Sequence, residues 1–75
     1  MNNFPSKHTV ERIRKQYPPG TRVTLVHMND PYSTLKPGDQ GTVDFVDDIG
    51  TIFCTWDTGD SLGVVYGEDA VRKND

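Results

Sequence analysis

Between Leu35 and Gly59 the chain reads LKPGDQGTVDFVDDIGTIFCTWDTG. Short β-forming runs alternate there with three turn signals, Pro37-Gly38, Asp48-Ile49-Gly50 and Asp57-Thr58-Gly59. Glycine and aspartate supply the backbone angles that reverse a chain within a few residues, so this pattern predicts successive antiparallel hairpins. Strands this short and turns this close suit a small, strongly bent barrel, an architecture that binds more often than it catalyses.

With 75 residues, only one domain fits. A chain of this size buries only about 60% of its unfolded surface, so each large apolar side chain is needed in the core. Apolar residues are 33% of the sequence, which throws the stabilising work onto a few aromatic and β-branched positions. Cys54 is the single cysteine, so no internal disulfide is possible. No apolar run approaches the ~18 residues of a membrane span, and no signal-peptide pattern opens the chain. The expected setting is a reducing cytoplasm, with no membrane partner.

The net charge of −3 conceals two opposed blocks. Up to residue 22, Lys7, Arg12, Arg14, Lys15 and Arg22 stand against Glu11 alone, a balance of +4. From residue 23 onward, Lys36, Arg72 and Lys73 stand against ten acids, a balance of −7. A basic arm on an acidic body bears on association and solubility rather than on fold.

Residues 1–20 read as an N-terminal arm with a short basic helix, and residues 21–75 as the barrel. Met1 to Phe4 are expected to fray. Ser6 is a helix cap, Val10, Ile13 and Tyr17 share one helical face, and Glu11 with Lys15 is an i,i+4 ion pair. That apolar face is expected to cover one open end of the barrel, and Pro18-Pro19-Gly20 stops the helix. Strands are expected at Thr21–Met28, Thr42–Asp47, Thr51–Trp56 and Ser61–Tyr66, with a last short one around Val71 after a single helical turn at Gly67–Ala70. Strand alternation assigns Val23, Leu25, Val43, Phe45, Ile52, Cys54, Leu62, Val64 and Val71 to the core. The loop from Asn29 to Asp39, stiffened by Pro31 and Pro37, is expected to hold a fixed shape.

Five short strands, a long first loop and one turn before the last strand resemble the SH3-like barrel: all-β, five-stranded and antiparallel, here with a short N-terminal α-helix. From Pro18 to Val65 the sequence also resembles a family of very short bacterial and phage proteins, domain of unknown function 4314. PPGTRV, DPY, LKPGDQGTV and WDTG carry that likeness. The resemblance implies a small β-barrel, carriage by bacterial chromosomes, phages or mobile elements, and no established activity.

Catalytic and metal patterns are thin. Asp57-Thr58-Gly59 spells the triplet of dimeric aspartic proteases, in which paired carboxylates share a proton. Here it follows Trp56 and precedes Asp60, and a hairpin turn accounts for it. His8, His27 and Cys54 lack zinc-ligand spacing. Asp47, Asp48, Asp57 and Asp60 fall at two turns that would need to meet at one end of the barrel to hold a weak hard cation. No glycine-rich nucleotide loop is present. The expectation is a protein with no catalytic residues, metal or cofactor.

Binding is the better lead. Tyr32, Trp56 and Tyr66, with Asp57 beside them, are the expected recognition residues of an acidic aromatic face. Such a face suits basic or proline-containing peptides through stacking and cation–π contact. The competing expectation for Trp56 and Tyr66 is plain packing. A nucleic-acid-binding role would fall to Arg12, Arg14, Lys15 and Arg22, against the acidic balance of the rest of the chain.

Overall fold

A serine hydroxyl can accept a hydrogen bond from a backbone amide one turn ahead, and Ser6 does so. In the computed structural model, which describes residues 4–74, Ser6 Oγ accepts from the Thr9 amide at 3.2 Å. Helix α1 then runs Lys7–Gln16 and ends at Tyr17, before the two prolines. Residues 1–3 of the segment expected to fray, and Asp75, lie outside the described residues.

Val10 and Ile13 are buried beneath α1, Tyr17 is half-buried, and Ile13 joins the main core cluster. The helix therefore packs onto the body as the apolar stripe predicted. The expected Glu11–Lys15 pair does not form. Among the described residues, the ion pairs are Arg14–Asp48 and Arg22–Asp57. Arg14 instead reaches the carbonyls of Val46 and Asp47 at 3.3 and 3.1 Å and the Asp48 carboxylate at 3.3 Å.

The strands are β1 (Arg22–His27), β2 (Gln40–Val46), β3 (Ile52–Trp56), β4 (Ser61–Val64) and β5 (Ala70–Lys73). They form one antiparallel sheet in the order β4-β3-β2-β1-β5. The expected five-stranded antiparallel content is present, but β4 and β5 are not paired to each other. Each has only four residues, and the turn between them bonds within itself, the Glu68 and Asp69 amides both donating to Val65 O. Hydrogen bonding thus leaves the sheet open instead of closing it into a cylinder.

On the inner face, Val23, Leu25, Val43, Ile52, Cys54 and Val64 are buried as alternation predicts, while Leu62 and Val71 pack at its margin. Phe45 breaks the expectation, being 53% exposed. In the register, Val43 faces Cys54 and Phe45 faces Phe53, so Asp44 is an extra residue in β2. This bulge shifts the strand's alternation by one, sending Phe45 outward and Val46 inward. A second irregularity, between Leu25 and His27, lies where β1 meets β5.

Trp56 is 1% exposed and is the largest of the fully buried side chains. Its indole lies on Gly41, where a Cβ would come within 2.8 Å of the ring and 3.0 Å of Thr55 O. Its Nε1–H donates to Leu62 O at 3.2 Å. Leu35 is also buried, so the long first loop is pinned from within. The Tyr32 amide donates to Asp30 Oδ1, Leu35 N–H to Ser33 Oγ, Lys36 N–H to Asp39 Oδ2 and Gly38 N–H to Leu25 O. These bonds tie the loop to itself and, through Gly38, to β1.

Trp56→Ala should cost about 3–5 kcal/mol in urea unfolding, because it leaves a cavity that three strands line. Gly41→Ala should cost about 1–3 kcal/mol by overpacking against the indole and a rigid carbonyl. Phe45→Ala should cost only about 0.5–1.5 kcal/mol, the worth of a stacked surface pair, as read from the same unfolding midpoints.

Candidate functional site

The turn joining β4 to β5 is built by Asp69. Its carboxylate accepts the Val65 amide at 2.9 Å and the Asn29 amide at 2.8 Å, fixing the turn against the end of β1. Tyr66 stands on this turn, 48% exposed. Three depressions meet there. Toward α1 lies a groove of about 260 Å3, floored by Ile13, Ile52, Val64 and Val71, with Tyr17 and Tyr66 in its walls. On the other side of Tyr66, Phe4, Pro5, Ile49 and Val65 line a depression of about 360 Å3. Asn29, Asp30, Glu68 and Asp69 line a smaller one of about 140 Å3.

The helix wall of the groove toward α1 depends on Gly50 in the β2–β3 turn. Gly50 has φ +84°, a left-handed angle that disfavours other residues, and a Cβ there would meet Pro5 at 3.2 Å and Ile13 at 3.4 Å. Arg14 fastens α1 to the same turn, and Lys73 places its ammonium 5.7 Å from the Tyr17 ring centroid. Arg12 and Asp69 put one charge of each sign into the groove lining. The arrangement offers an apolar slot with aromatic walls, and Asp30 and Glu68 beyond its lip have no ion-pair partner among the described residues.

The four residues expected to form one recognition face do not come together. Tyr32 is 92% exposed on the β1–β2 loop. Trp56 is in the core, since its two-ring side chain is the piece large enough to fill the space under β3, so its ring offers no surface to a ligand. Asp57 is engaged by Arg22, which donates two hydrogen bonds at 2.9 and 2.6 Å. Of the four, Tyr66 lines the groove. The groove itself was only half visible in the sequence: Ile13 and Tyr17 of the apolar helix stripe, expected to cover an end of the barrel, line it, and Tyr66 was singled out for recognition, but nothing in the sequence brought the two together.

The basic set is also divided. Arg14 is bonded to the β2–β3 turn and Arg22 to Asp57, leaving Arg12 and Lys15 exposed on α1. The aspartates weighed as a cation site lie at two turns on opposite ends of β3, about 15 Å apart, because consecutive hairpins must reverse at opposite ends of the strand they share. Asp47 accepts the Ile49 and Thr51 amides, and Asp60 accepts the Thr34 and Thr58 hydroxyls. Among the described residues no group of metal-ligating side chains occurs, and no helix is long and apolar enough to cross a membrane. Burial, with a smaller contribution from Asp44, pushes the Cys54 thiol up to about 11, away from the thiolate a nucleophile needs.

The family model for a domain of unknown function, DUF4314, matches residues 6–74, and the chain belongs to that family. Among curated proteins no match is found.

The hydrogen bonds from Arg22 hold the Asp57 carboxyl below the usual aspartate range. A depressed carboxyl stabilises the fold above its unfolded pKa and stops doing so as pH falls through its folded one. The small Tm advantage of wild type over Asp57→Asn should therefore be present at pH 7, begin to fade only below about pH 4, and be lost as pH falls further through the depressed folded value, as followed by thermal melts across that range.

Proposed function

We propose that this chain is a non-catalytic interaction module that takes a bulky apolar side chain of a protein or peptide partner into the groove between α1 and the β4–β5 turn. The observation that carries this reading is the meeting of three depressions at one rigid, hydrogen-bonded turn, with Tyr66 between the two larger ones. Pockets of this kind are largely preformed, so little ordering entropy opposes binding. Residues flanking the anchor are basic in this reading, because Asp30 and Glu68, neither in an ion pair among the described residues, lie beside the lip.

An SH3-like barrel is the fold we propose for this module. The strand order β4-β3-β2-β1-β5, the long ordered first loop, the two bulged strands and the short turn before β5 support it. The same proposal places the protein in the cytoplasm of a bacterium or a phage-infected cell, a setting compatible with a single unpaired, buried thiol. Nucleic-acid binding is the weaker alternative. Arg12 and Lys15 alone of its four expected cations are outside an ion pair, and salt-dependent affinity scales with the number of phosphates neutralised.

A random peptide library displayed on phage and selected against the folded protein tests this directly. Selected peptides should share an aromatic or large aliphatic residue next to lysine or arginine, and Tyr66→Ala should weaken them by about tenfold or more while leaving Tm unchanged. Peptides that bind wild type and Tyr66→Ala equally would sink the groove reading. A low-salt gel shift abolished by Arg12→Glu with Lys15→Glu would turn it toward nucleic acid.

A further inference from the structure

The two edges of the sheet are unlike each other. β5 carries Arg72 and Lys73, charges of the kind that keep an edge strand from pairing with another chain. β4 reads Ser61-Leu62-Gly63-Val64 and carries none. Its hairpin starts with the Trp56 amide donating to Asp60 O at 2.8 Å, and Leu62 and Val64 then face Cys54 and Ile52. Bonded and non-bonded pairs alternate along an antiparallel ladder, which turns the N–H and C=O of Ser61 and Gly63 away from β3. The next amide on that side, Val65, is already taken by Asp69 at 2.9 Å.

An apolar platform leads to this edge across the outer face. Phe45, Phe53 and Gly63 stand side by side on β2, β3 and β4. The two rings stack with centroids 4.8 Å apart and planes 17° from parallel. Phe53 lies over Gly63, where a Cβ would come within 3.2 Å of the ring and 2.7 Å of Thr51 Cγ2. Val65 on the same flank is exposed. Acids lie at the ends of this region: Asp44 precedes Phe45, half-buried Asp60 precedes β4 with one carboxylate oxygen bonded to the Thr34 and Thr58 hydroxyls, and Glu68 follows β4; none has an ion-pair partner among the described residues.

We infer that β4 accepts an added strand, an extended segment of a partner chain that is apolar at alternate positions and basic at both ends. Its backbone pairs with Ser61 and Gly63, an apolar side chain beside Gly63 covers Phe53, and its terminal cations meet Asp60 and Glu68. A second copy of this chain is disfavoured, because antiparallel pairing of β4 with itself sets Asp60 of one copy toward the Glu68 end of the other. This surface adjoins the depressions around Tyr66, sharing Val65 and Glu68 with them, but it is read from a different observation, the outward-facing backbone of β4.

The probe is a short synthetic peptide alternating valine and threonine between terminal lysines, with a glutamate-ended version as its control, followed by amide NMR on the full chain. The lysine-ended peptide should shift the Ser61, Gly63 and Phe53 amides and slow hydrogen exchange at Ser61 and Gly63. Ser61→Lys, an exposed edge position whose change should leave Tm intact, should weaken it by about tenfold or more, whereas Tyr66→Ala should not. The glutamate-ended control should bind more weakly. Equal affinity for the two peptides, or an unchanged affinity in the lysine variant, overturns the inference. So do shifts confined to Tyr17 and Tyr66, which assign the peptide to the groove, and so does a concentration-dependent dimer that protects Ser61–Val65.

Discussion

One side chain ties the sheet together. Trp56 rests on Gly41 of β2, belongs to β3, and hydrogen-bonds the Leu62 carbonyl of β4 through its indole N–H. Burying an indole removes some 200 Å2 from water, worth roughly 5 kcal/mol, which is comparable to the whole net stability of a small domain. The missing side chain at Gly41 is what admits the ring, and the paired N–H is what makes its burial tolerable. Short strands that would be marginal as separate hairpins become one cooperative unit around it.

The Asp44 bulge decides what the molecule shows to solvent. One extra residue in β2 exchanges the roles of Phe45 and Val46, so the core receives the smaller side chain and the outer face receives an aromatic. Phe45 then finds Phe53, and Phe53 finds room over Gly63. A surface feature spanning three strands thus follows from one inserted residue, whose carboxylate is itself held by the Thr55 hydroxyl at 2.8 Å. Bulges placed so near an exposed apolar feature commonly re-aim side chains for use.

Charge serves assembly within the chain before it serves any partner. Arg14 joins the helix to a turn of the sheet, and Arg22 braces the β3–β4 turn through Asp57. The opposition of a basic N-terminal segment and an acidic body is therefore partly an internal fit. Acids left over gather near the β4–β5 turn and around β4, and the basic character proposed for the partners of the groove and the edge rests on them.

Much of the architecture was legible in the residues themselves. Turn chemistry at Asp48-Ile49-Gly50 and Asp57-Thr58-Gly59 located two hairpins, Ser6 and Pro18-Pro19 bounded the helix, and strand alternation found Val23, Leu25, Val43, Ile52, Cys54 and Val64. These are local properties, fixed by backbone angles and side-chain periodicity. What escaped is non-local. The phase shift at Asp44 exists only relative to a partner strand, Trp56 becomes core only because Gly41 lies opposite it, and Arg14 and Arg22 lose their free charge only where folding brings distant aspartates to them. The groove and the β4 edge, unpaired among the described residues, belong to that second class, since each is defined by elements far apart in the chain whose spacing only the folded sheet sets.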